Sequence, residues 1–315
     1  MKWVILIGKI KIRPQSYSSI SLFQNCPRQY KLKYIDGNYT DTSTLALELG
    51  TLLHKILELK YSKSNDDLNN VLENGYPEEH IAGLKELKDK YFEDYITTGR
   101  KSGLTYNQKL EIFKPRLTTD IYNLGEEWQV FNCELPFEIE YDKDIIITGK
   151  IDRVDVNTKT GDYRVIDYKS SDAVYNDREL NNALQMYIYS LAIQHIYGKT
   201  PVEYIYDFIL LGKQAYALAK KNYKTTMYKK LDGLITDLKE NYKTTEFKPK
   251  PSPLCYWCPY NTQSCVNDVE HKNLCEFYSL WTPTNKTFST NKIWDSSSPP
   301  PRSKPKEKEE KIFIW

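Results

Sequence analysis

The sequence predicts an α/β fold in which a sheet is flanked by helices. Apolar residues recur at helical spacing in the N-terminal part and again over 180–197. Between these parts, residues 137–169 contain alternating and β-branched runs that are typical of strands. The 315 residues are enough to bury one large core or two small ones.

Three helices are predicted in the N-terminal part. The first covers residues 17–36 and ends in a short extended stretch, and the second covers 50–60 with a broad apolar face. The third, over 78–97, belongs to a predicted helical insertion at 61–130. We expect this insertion to form a cap over a cleft.

The strands follow. They are predicted at 137–140, 145–156 and 163–169, and the turn-rich segment 157–162 makes the last two a hairpin. A helix at 180–197 precedes a fourth strand at 204–211.

The C-terminal part starts with a predicted lysine-rich helix at 213–241, followed by a cysteine-bearing segment at 255–275. One folded domain is expected over 1–283. Residues 284–315 contain a Ser/Pro run and a charged run, so we expect a disordered linker that ends in an apolar docking tail.

Composition excludes few classes of function. The 44 Lys and Arg against 42 Asp and Glu leave a net charge of only +2, so any basic nucleic-acid surface must be local. No apolar run is long enough to span a bilayer, and we expect a cytoplasmic protein of prokaryotic or phage origin without a membrane partner. Six cysteines then favour metal or cluster ligation over disulfides.

The densest chemical signal lies in the predicted hairpin, in Gly-Lys-Ile-Asp-Arg-Val-Asp at 149–155 and Val-Ile-Asp-Tyr-Lys at 165–169. Asp167 and Lys169 share one face of a strand, and the hairpin can place Asp152 beside them. Paired carboxylates suit Mg²⁺ or Mn²⁺, and a nearby cation offsets negative charge during phosphodiester hydrolysis. The alternative is an exposed Asp-x-Lys pair without function.

These motifs resemble the RecB-like branch of the PD-(D/E)xK nucleases. Gly-Thr-Leu-Leu-His-Lys at 50–55 is similar to the family's first helix motif, and Gln-Met-Tyr-Ile-Tyr at 185–189 to its Gln-x-x-x-Tyr motif. The resemblance implies a restriction-endonuclease-like core with a central mixed sheet. It also implies roles for particular residues: metal ligands His54, Asp152, Asp167 and the backbone carbonyl of Tyr168, the catalytic lysine Lys169, and the motif side chains Gln185 and Tyr189.

The cysteines offer a second metal site. Cys255 and Cys258 have the two-residue spacing that lets both thiolates bind one centre, and spacing alone fits a zinc site or an iron–sulfur cluster. The layout resembles the iron–sulfur subgroup of the same family, found in CRISPR-associated adaptation nucleases and AddB-type nucleases. That resemblance implies a [4Fe-4S] cluster on Cys26, Cys255, Cys258 and Cys265. The last gap is one residue longer than expected, which leaves Cys275 as an alternative fourth ligand.

Two features suggest partners. Arg28 and Lys31 beside Tyr30 form a basic and aromatic cluster that suits a DNA backbone and unpaired bases. The terminal Ile-Phe-Ile-Trp at 312–315 resembles a docking peptide for a replication or recombination protein.

We therefore expect a Mg²⁺- or Mn²⁺-dependent DNA exonuclease in recombination, repair or phage DNA metabolism. A cap formed by residues 61–130 would favour single strands or ends. One alternative is a catalytically silent DNA-binding or scaffold protein with the nuclease fold. Another is a zinc-ribbon interaction protein, which leaves the strand motifs unexplained.

Overall fold

The computed structural model of the chain describes residues 11–39, 44–61, 102–118, 127–175, 179–180, 183–218, 223–260 and 274–275. The chain divides into two compact units. The first comprises Met1–Ser21 and Ser43–Glu246, and the second comprises Leu22–Thr42 and Phe247–Trp315.

Within the described residues of the first unit, five strands form one mixed sheet in the order β1-β2-β3-β4-β5. Neighbouring strands are antiparallel except β3 and β4, which are parallel. The strands are β1 (Trp128–Asp142), β2 (Ile145–Asn157), β3 (Tyr163–Lys169), β4 (Glu203–Phe208) and β5 (Lys213–Leu218). The predicted α/β class, mixed sheet and 157–162 hairpin are confirmed.

The β2–β3 ladder is short. It pairs Val156 with Tyr163 at the hairpin end and stops at Arg153 with Ile166. Asp152 and Asp167 are the next residue on each strand, so the two carboxylates lie where the strands separate. The sheet topology itself therefore brings these side chains together.

The structure describes helices in both units. The described helices are α1 (Tyr17–Asn25), α2 (Pro27–Tyr34), α3 (Leu45–Tyr61), α4 (Tyr106–Phe113), α5 (Pro115–Thr118), α6 (Leu184–Tyr197) and α7 (Tyr223–Thr244), with a 3-10 helix at Pro253–Trp257. Helix α6 connects the parallel strands β3 and β4, as such a pair requires, and it contacts β1 and α7. No described helix is both long and apolar enough to cross a membrane.

The core of the first unit lies between α3 and the sheet. Leu49, Leu53 and Leu57 recur on one face of α3 and are at most 2% exposed. They join Ile166 of β3 and Ile205 of β4 in one apolar cluster. Burying a leucine side chain is worth about 1.5–3 kcal/mol, so this face fixes α3, and with it His54, to the sheet.

The second unit has its own small core. The ring of Tyr30 is fully buried, stacks on Phe247 at 6.1 Å and meets Phe23 edge-on at 5.6 Å. The hydroxyl of Tyr260 donates a 2.6 Å hydrogen bond to the carbonyl of Asn38. Residues far apart in sequence thus hold this unit together.

Two predicted elements are wrong in part. The single helix predicted over 17–36 is two helices, because Cys26 is extended and Pro27, which cannot donate a backbone hydrogen bond, starts α2. The helix predicted over 213–241 is strand β5 at its start, paired with β4, and becomes helical only from Tyr223. The predicted helix at 78–97 and the predicted tail at 284–315 lie outside the described residues.

Candidate active site

Asp167 and Lys169 form a close ion pair on β3. The Nζ of Lys169 lies 2.6 Å from Oδ2 of Asp167, and the Asp167 side chain is 3% exposed. Burial raises the pKa of Asp167 above its usual range, although the Lys169 ammonium acts in the opposite direction. Burial alone would lower the pKa of Lys169, but Asp167 outweighs it and raises that pKa, so the lysine stays charged.

Asp152 lies across from this pair and faces α3. Its Oδ2 accepts a 2.7 Å hydrogen bond from the backbone N–H of Tyr168 and lies 3.6 Å from Nδ1 of His54. The His54 ring also meets the buried Tyr168 ring edge-on at 5.8 Å. Burial acts to lower the pKa of His54, but its hydrogen bond to Asp152 and the surrounding carboxylates raise it overall.

Glu134 of β1 completes a group of oxygen and nitrogen donors that the sequence motifs did not indicate. One donor atom each from His54, Glu134 and Asp152 lie within 4.8 Å of one another. Burial raises the pKa of Glu134, and the charge of Asp152 adds to that effect. The backbone of Glu134 has a φ of 46°, in the left-handed region that only glycine adopts readily.

The sequence carried only a weak signal for Glu134. It lies between Cys133 and Leu135, which pair with Arg153 and Ile151, and therefore sits opposite Asp152. That placement depends on the β1–β2 register, and strand β1 was predicted to begin only at residue 137. A longer predicted strand would have placed a third acidic side chain beside Asp152.

Gln185 of α6 joins the members of the ion pair. Its Oε1 accepts a 2.9 Å hydrogen bond from Lys169, and its Nε2 donates 2.9 Å hydrogen bonds to Asp167 Oδ1 and to the Tyr189 hydroxyl. The Tyr189 hydroxyl in turn donates to Asp167 Oδ1 at 3.1 Å. Residues four apart share one helix face, which is why both side chains of the Gln-x-x-x-Tyr motif reach the same carboxylate.

A glycine in β2 allows tight packing beside these groups. A Cβ at Gly149 would lie 2.7 Å from Cζ of Phe137 on β1. The Phe137 ring in turn meets Tyr189 edge-on at 6.2 Å. The close approach at Gly149 therefore supports the position of Tyr189.

Asp155, the second acidic residue of the 149–155 motif, stabilises the core. Asp155 is fully buried and pairs with Arg153 at 2.6 Å and with Arg164 at 2.7 Å. These guanidinium groups neutralise its charge inside the core. The Arg153 guanidinium also lies 4.1 Å from the centre of the Tyr61 ring.

In the second unit, the four described cysteines line one cavity: Cys26, Cys255, Cys258 and Cys275. The sulfur of Cys26 accepts a 3.5 Å hydrogen bond from Lys250 N–H, and that of Cys255 a 3.4 Å bond from Ser252 N–H. Burial raises the pKa of the Cys258 thiol to about 12. The predicted ligand Cys265 lies outside the described residues, whereas the alternative Cys275 lines the cavity.

The predicted DNA-binding residues Arg28, Tyr30 and Lys31 also belong to the second unit. The position of Tyr30 does not suit base stacking. Tyr30 is fully buried among other aromatic rings, so the ring has no free face for a base, contrary to the prediction. Lys31 pairs with Asp36 at 2.7 Å, and Arg28 is half-buried. The apolar helix spacing at Leu22, Cys26 and Tyr30 was the sequence signal for burial.

The chain is similar in sequence to known proteins. One of them is a component of the ATP-dependent helicase/deoxyribonuclease from Streptococcus equi subsp. zooepidemicus strain H70. It is 28% identical over 230 residues, which cover 68% of this chain and 20% of that protein. Its counterpart from strain MGCS10565 is 29% identical over 231 residues, with the same coverage. The chain thus matches about a fifth of the length of these relatives.

A solved structure and a family profile were also compared with the chain. The crystal structure of a provisionally named exonuclease from Eubacterium rectale aligns with a TM-score of 0.45 and 16% identity, over 79% of this chain and 88% of that one. The sequence profile of the PD-(D/E)XK nuclease superfamily matches residues 14–265, a span that holds every residue of the candidate active site. The chain belongs to the PD-(D/E)XK nuclease superfamily.

Proposed function

We propose that the protein hydrolyses phosphodiester bonds in DNA with the help of a divalent metal ion, as an exonuclease that prefers single strands or ends. The observation that carries this proposal is the cluster of Asp152, Asp167 and Lys169 where β2 and β3 separate. Two carboxylates and an ammonium in one small volume suit a reaction in which negative charge grows on a phosphate.

The donor set fits Mg²⁺ or Mn²⁺. His54, Glu134 and Asp152 offer one nitrogen and two carboxylate oxygens within 4.8 Å of one another, and Asp167 and the Tyr168 carbonyl are the further ligands proposed. Carboxylates suit both ions, and the imidazole favours Mn²⁺ of the two. When bound, the metal supplies Lewis-acid polarisation of the phosphate and a water of lowered pKa.

Lys169 acts next to the metal site. Asp167 and Gln185 both bind its Nζ, which fixes the direction of the ammonium and keeps it charged. From there it donates to a phosphate oxygen or orients the attacking water, and its charge offsets the charge that develops. Gln185 and Tyr189 are positioning residues, because they act through Asp167 and Lys169.

The test compares wild type with Lys169→Met, and with Lys159→Met as the control, since Lys159 is an exposed lysine of the hairpin turn. On end-labelled single-stranded and duplex DNA with Mn²⁺, we expect Lys169→Met to lower kcat by about 10²–10³-fold and the control to match wild type. Calorimetry should show that Lys169→Met still binds Mn²⁺. If wild type binds DNA without cutting it, the catalytically silent alternative replaces this proposal.

Closed circles separate exonuclease from endonuclease action. An enzyme that needs an end leaves circular single-stranded DNA intact while it degrades the same strand after linearisation. Equal rates on both forms would reject the preference for ends while leaving the hydrolytic mechanism in place.

We further propose a [4Fe-4S] cluster on Cys26, Cys255, Cys258 and one more cysteine, with zinc as the alternative. Support comes from four cysteines around one cavity and from the backbone N–H groups that donate to their sulfurs. Iron, sulfide and zinc are to be measured in anaerobically purified Cys258→Ala, Cys265→Ala and Cys275→Ala proteins. Loss of iron in only one of the last two identifies the fourth ligand; zinc without iron rejects the cluster.

Two binding roles complete the proposal. Arg28 and Lys31 are proposed phosphate contacts, and replacing either with Gln should weaken DNA binding for all sequences and flatten its salt dependence. The tail at 300–315 is proposed to bind a replication or recombination protein. Deleting it should preserve nuclease activity and abolish capture of that partner; lost activity would indicate that the tail docks on the protein itself.

A further inference from the structure

An exposed aromatic ring, that of Tyr175, packs against the ring that contacts the proposed catalytic lysine. Tyr175 lies six residues after Lys169 and is 40% exposed, although its ring packs against two aromatic side chains. Its centre is 5.8 Å from that of Tyr206 and 5.7 Å from that of Phe208. The ring is thus held on one side and open to solvent on another.

Tyr206 connects this ring to the active site. The Nζ of Lys169 lies 4.6 Å from the centre of the Tyr206 ring, and the Tyr206 hydroxyl donates a 3.2 Å hydrogen bond to Oε1 of Gln185. The same Oε1 accepts the hydrogen bond from Lys169. Tyr206 therefore spaces Tyr175 one aromatic ring away from the lysine ammonium.

The charge of Lys169 is also felt by the hydroxyl of Tyr17 in α1. Burial raises the pKa of its hydroxyl, the Lys169 ammonium opposes that rise, and the hydroxyl of Tyr175 adds to it. Tyr206 of β4 and Tyr175 in the segment after β3 thus place two contacting aromatic rings next to one another, the first of them 4.6 Å from the Nζ of Lys169. A lysine with aromatic rings at this spacing suits a phosphate and its adjoining base.

We propose that Tyr175 is the base-stacking residue of the active site, on which the unpaired base next to the cleaved phosphodiester rests. This inference rests on the proposed function and narrows its substrate to strands whose terminal bases are unpaired. Every nucleobase has a π-face, so such a contact tolerates any sequence, as a nuclease that degrades DNA requires. In a duplex the base faces are covered by their neighbours, which makes the ring selective for unpaired ends.

Binding is measured with the 315-residue chain carrying Lys169→Ala. The assay contains Ca²⁺ and a single-stranded oligonucleotide that has a fluorescent 2-aminopurine near its end. Tyr175→Phe should bind and quench the fluorophore as Tyr175 does. Tyr175→Leu keeps apolar contact with Tyr206 and Phe208 but has no ring, and should bind about 5- to 150-fold more weakly, the range of one base–aromatic stack. Tyr228→Ala is the control, since Tyr228 is a 52% exposed tyrosine on α7.

An abasic nucleotide tests the partner of the ring. In the protein with Tyr175, removing the one base that rests on the ring should weaken binding as much as Tyr175→Leu does. In Tyr175→Leu the abasic site should have no further effect, because the two changes remove the same contact. Additive losses, or a Tyr175→Phe variant as weak as Tyr175→Leu, would overturn the inference.

The two proposals fail in different ways. If wild type cuts DNA and Tyr175→Leu has the same KM, kcat and preference for single strands, the stacking role is wrong and the proposed catalysis stands. If wild type does not cut DNA, but Tyr175→Leu and the abasic site weaken binding non-additively, the proposed catalysis is wrong and the stacking role stands.

Discussion

The carboxylate of Asp152 accepts a 2.7 Å hydrogen bond from the backbone N–H of Tyr168. Both residues lie beyond Arg153 and Ile166, the last pair of the β2–β3 ladder. A side chain has here taken the place of the neighbouring strand as the acceptor for a main-chain donor. Asp152 therefore has a structural task in addition to its proposed role as a metal ligand.

That hydrogen bond can be tested apart from charge. Asp152→Asn and Asp152→Ala both remove the carboxylate, but only the asparagine retains an oxygen that accepts from Tyr168. We expect Asp152→Ala to be less stable than Asp152→Asn by about 1–3 kcal/mol, the cost of a buried donor without a partner. Urea unfolding in metal-free buffer measures the difference, and equal stabilities would contradict the role of this hydrogen bond.

Gln185→Ala should lower kcat by about 10²-fold while Mn²⁺ binding stays near that of wild type. The amide touches both Asp167 and Lys169, and misplacement of catalytic groups by about 1 Å is costly. Gln194→Ala, at an exposed position of the same helix, is the control. The interpretation fails if both variants cut DNA at the same rate.

Arg116→Met should destabilise the protein by about 3–5 kcal/mol, because it removes the guanidinium charge and two hydrogen bonds from the buried carboxylate of Asp207. The guanidinium donates two 2.7 Å hydrogen bonds to Asp207, whose side chain is fully buried. Lys114→Met breaks an exposed pair with Glu111 and should change little. Denaturant unfolding measures the loss of unfolding free energy in both variants. Similar losses would mean that burial of the ion pair does not determine how much stability its removal costs.

Two Gly→Ala substitutions should have opposite effects. A Cβ at Gly149 would collide with the Phe137 ring, so Gly149→Ala should cost about 1–3 kcal/mol. At Gly233, inside α7, no atom lies within 4 Å of the added Cβ, and Gly233→Ala should stabilise by about 0.5–1 kcal/mol. Thermal unfolding gives both signs; a stabilising Gly149→Ala would show that Phe137 moves aside freely.

Cys133 should resist alkylation at pH 8. Burial raises the pKa of its thiol to about 12, so almost no thiolate is present at that pH. A raised pKa means that the neutral thiol's contribution to stability is complete below pH 9 and is lost as the pH rises toward 12. Peptide mass spectrometry after iodoacetamide treatment should find Cys133 labelled only in urea; rapid labelling of folded protein would contradict its burial.

The sequence predicted the centre of the site better than its surroundings. Asp152, Asp167, Lys169, Gln185 and Tyr189 were all indicated by local motifs, and strand pairing and helix spacing bring them together. Glu134 was missed because its role depends on the register of a distant strand. Tyr175 was missed because its position depends on contacts with Tyr206 and Phe208 of β4, and sequence periodicity does not predict such contacts.

Strand β5 shows where local preference misleads. Lys213–Leu218 reads Lys-Gln-Ala-Tyr-Ala-Leu, which is rich in good helix formers, yet each residue pairs with β4. Hydrogen bonds to a neighbouring strand outweigh an intrinsic preference of a few tenths of a kcal/mol per residue. At Tyr30 the local pattern was the better guide. The apolar spacing of its helix indicated burial, whereas the predicted role in DNA binding required an exposed ring.

The second unit also has a consequence for how the protein is made. Its contact between Lys250 and Cys26 joins residues 224 positions apart. During translation at about 5–20 residues per second, residues 22–42 leave the ribosome many seconds before their partners at 247–260. The first unit can therefore complete its sheet while the earliest part of the second still waits. A chain cut short between residues 190 and 246 will contain the candidate active-site motifs but not the cysteine-lined cavity.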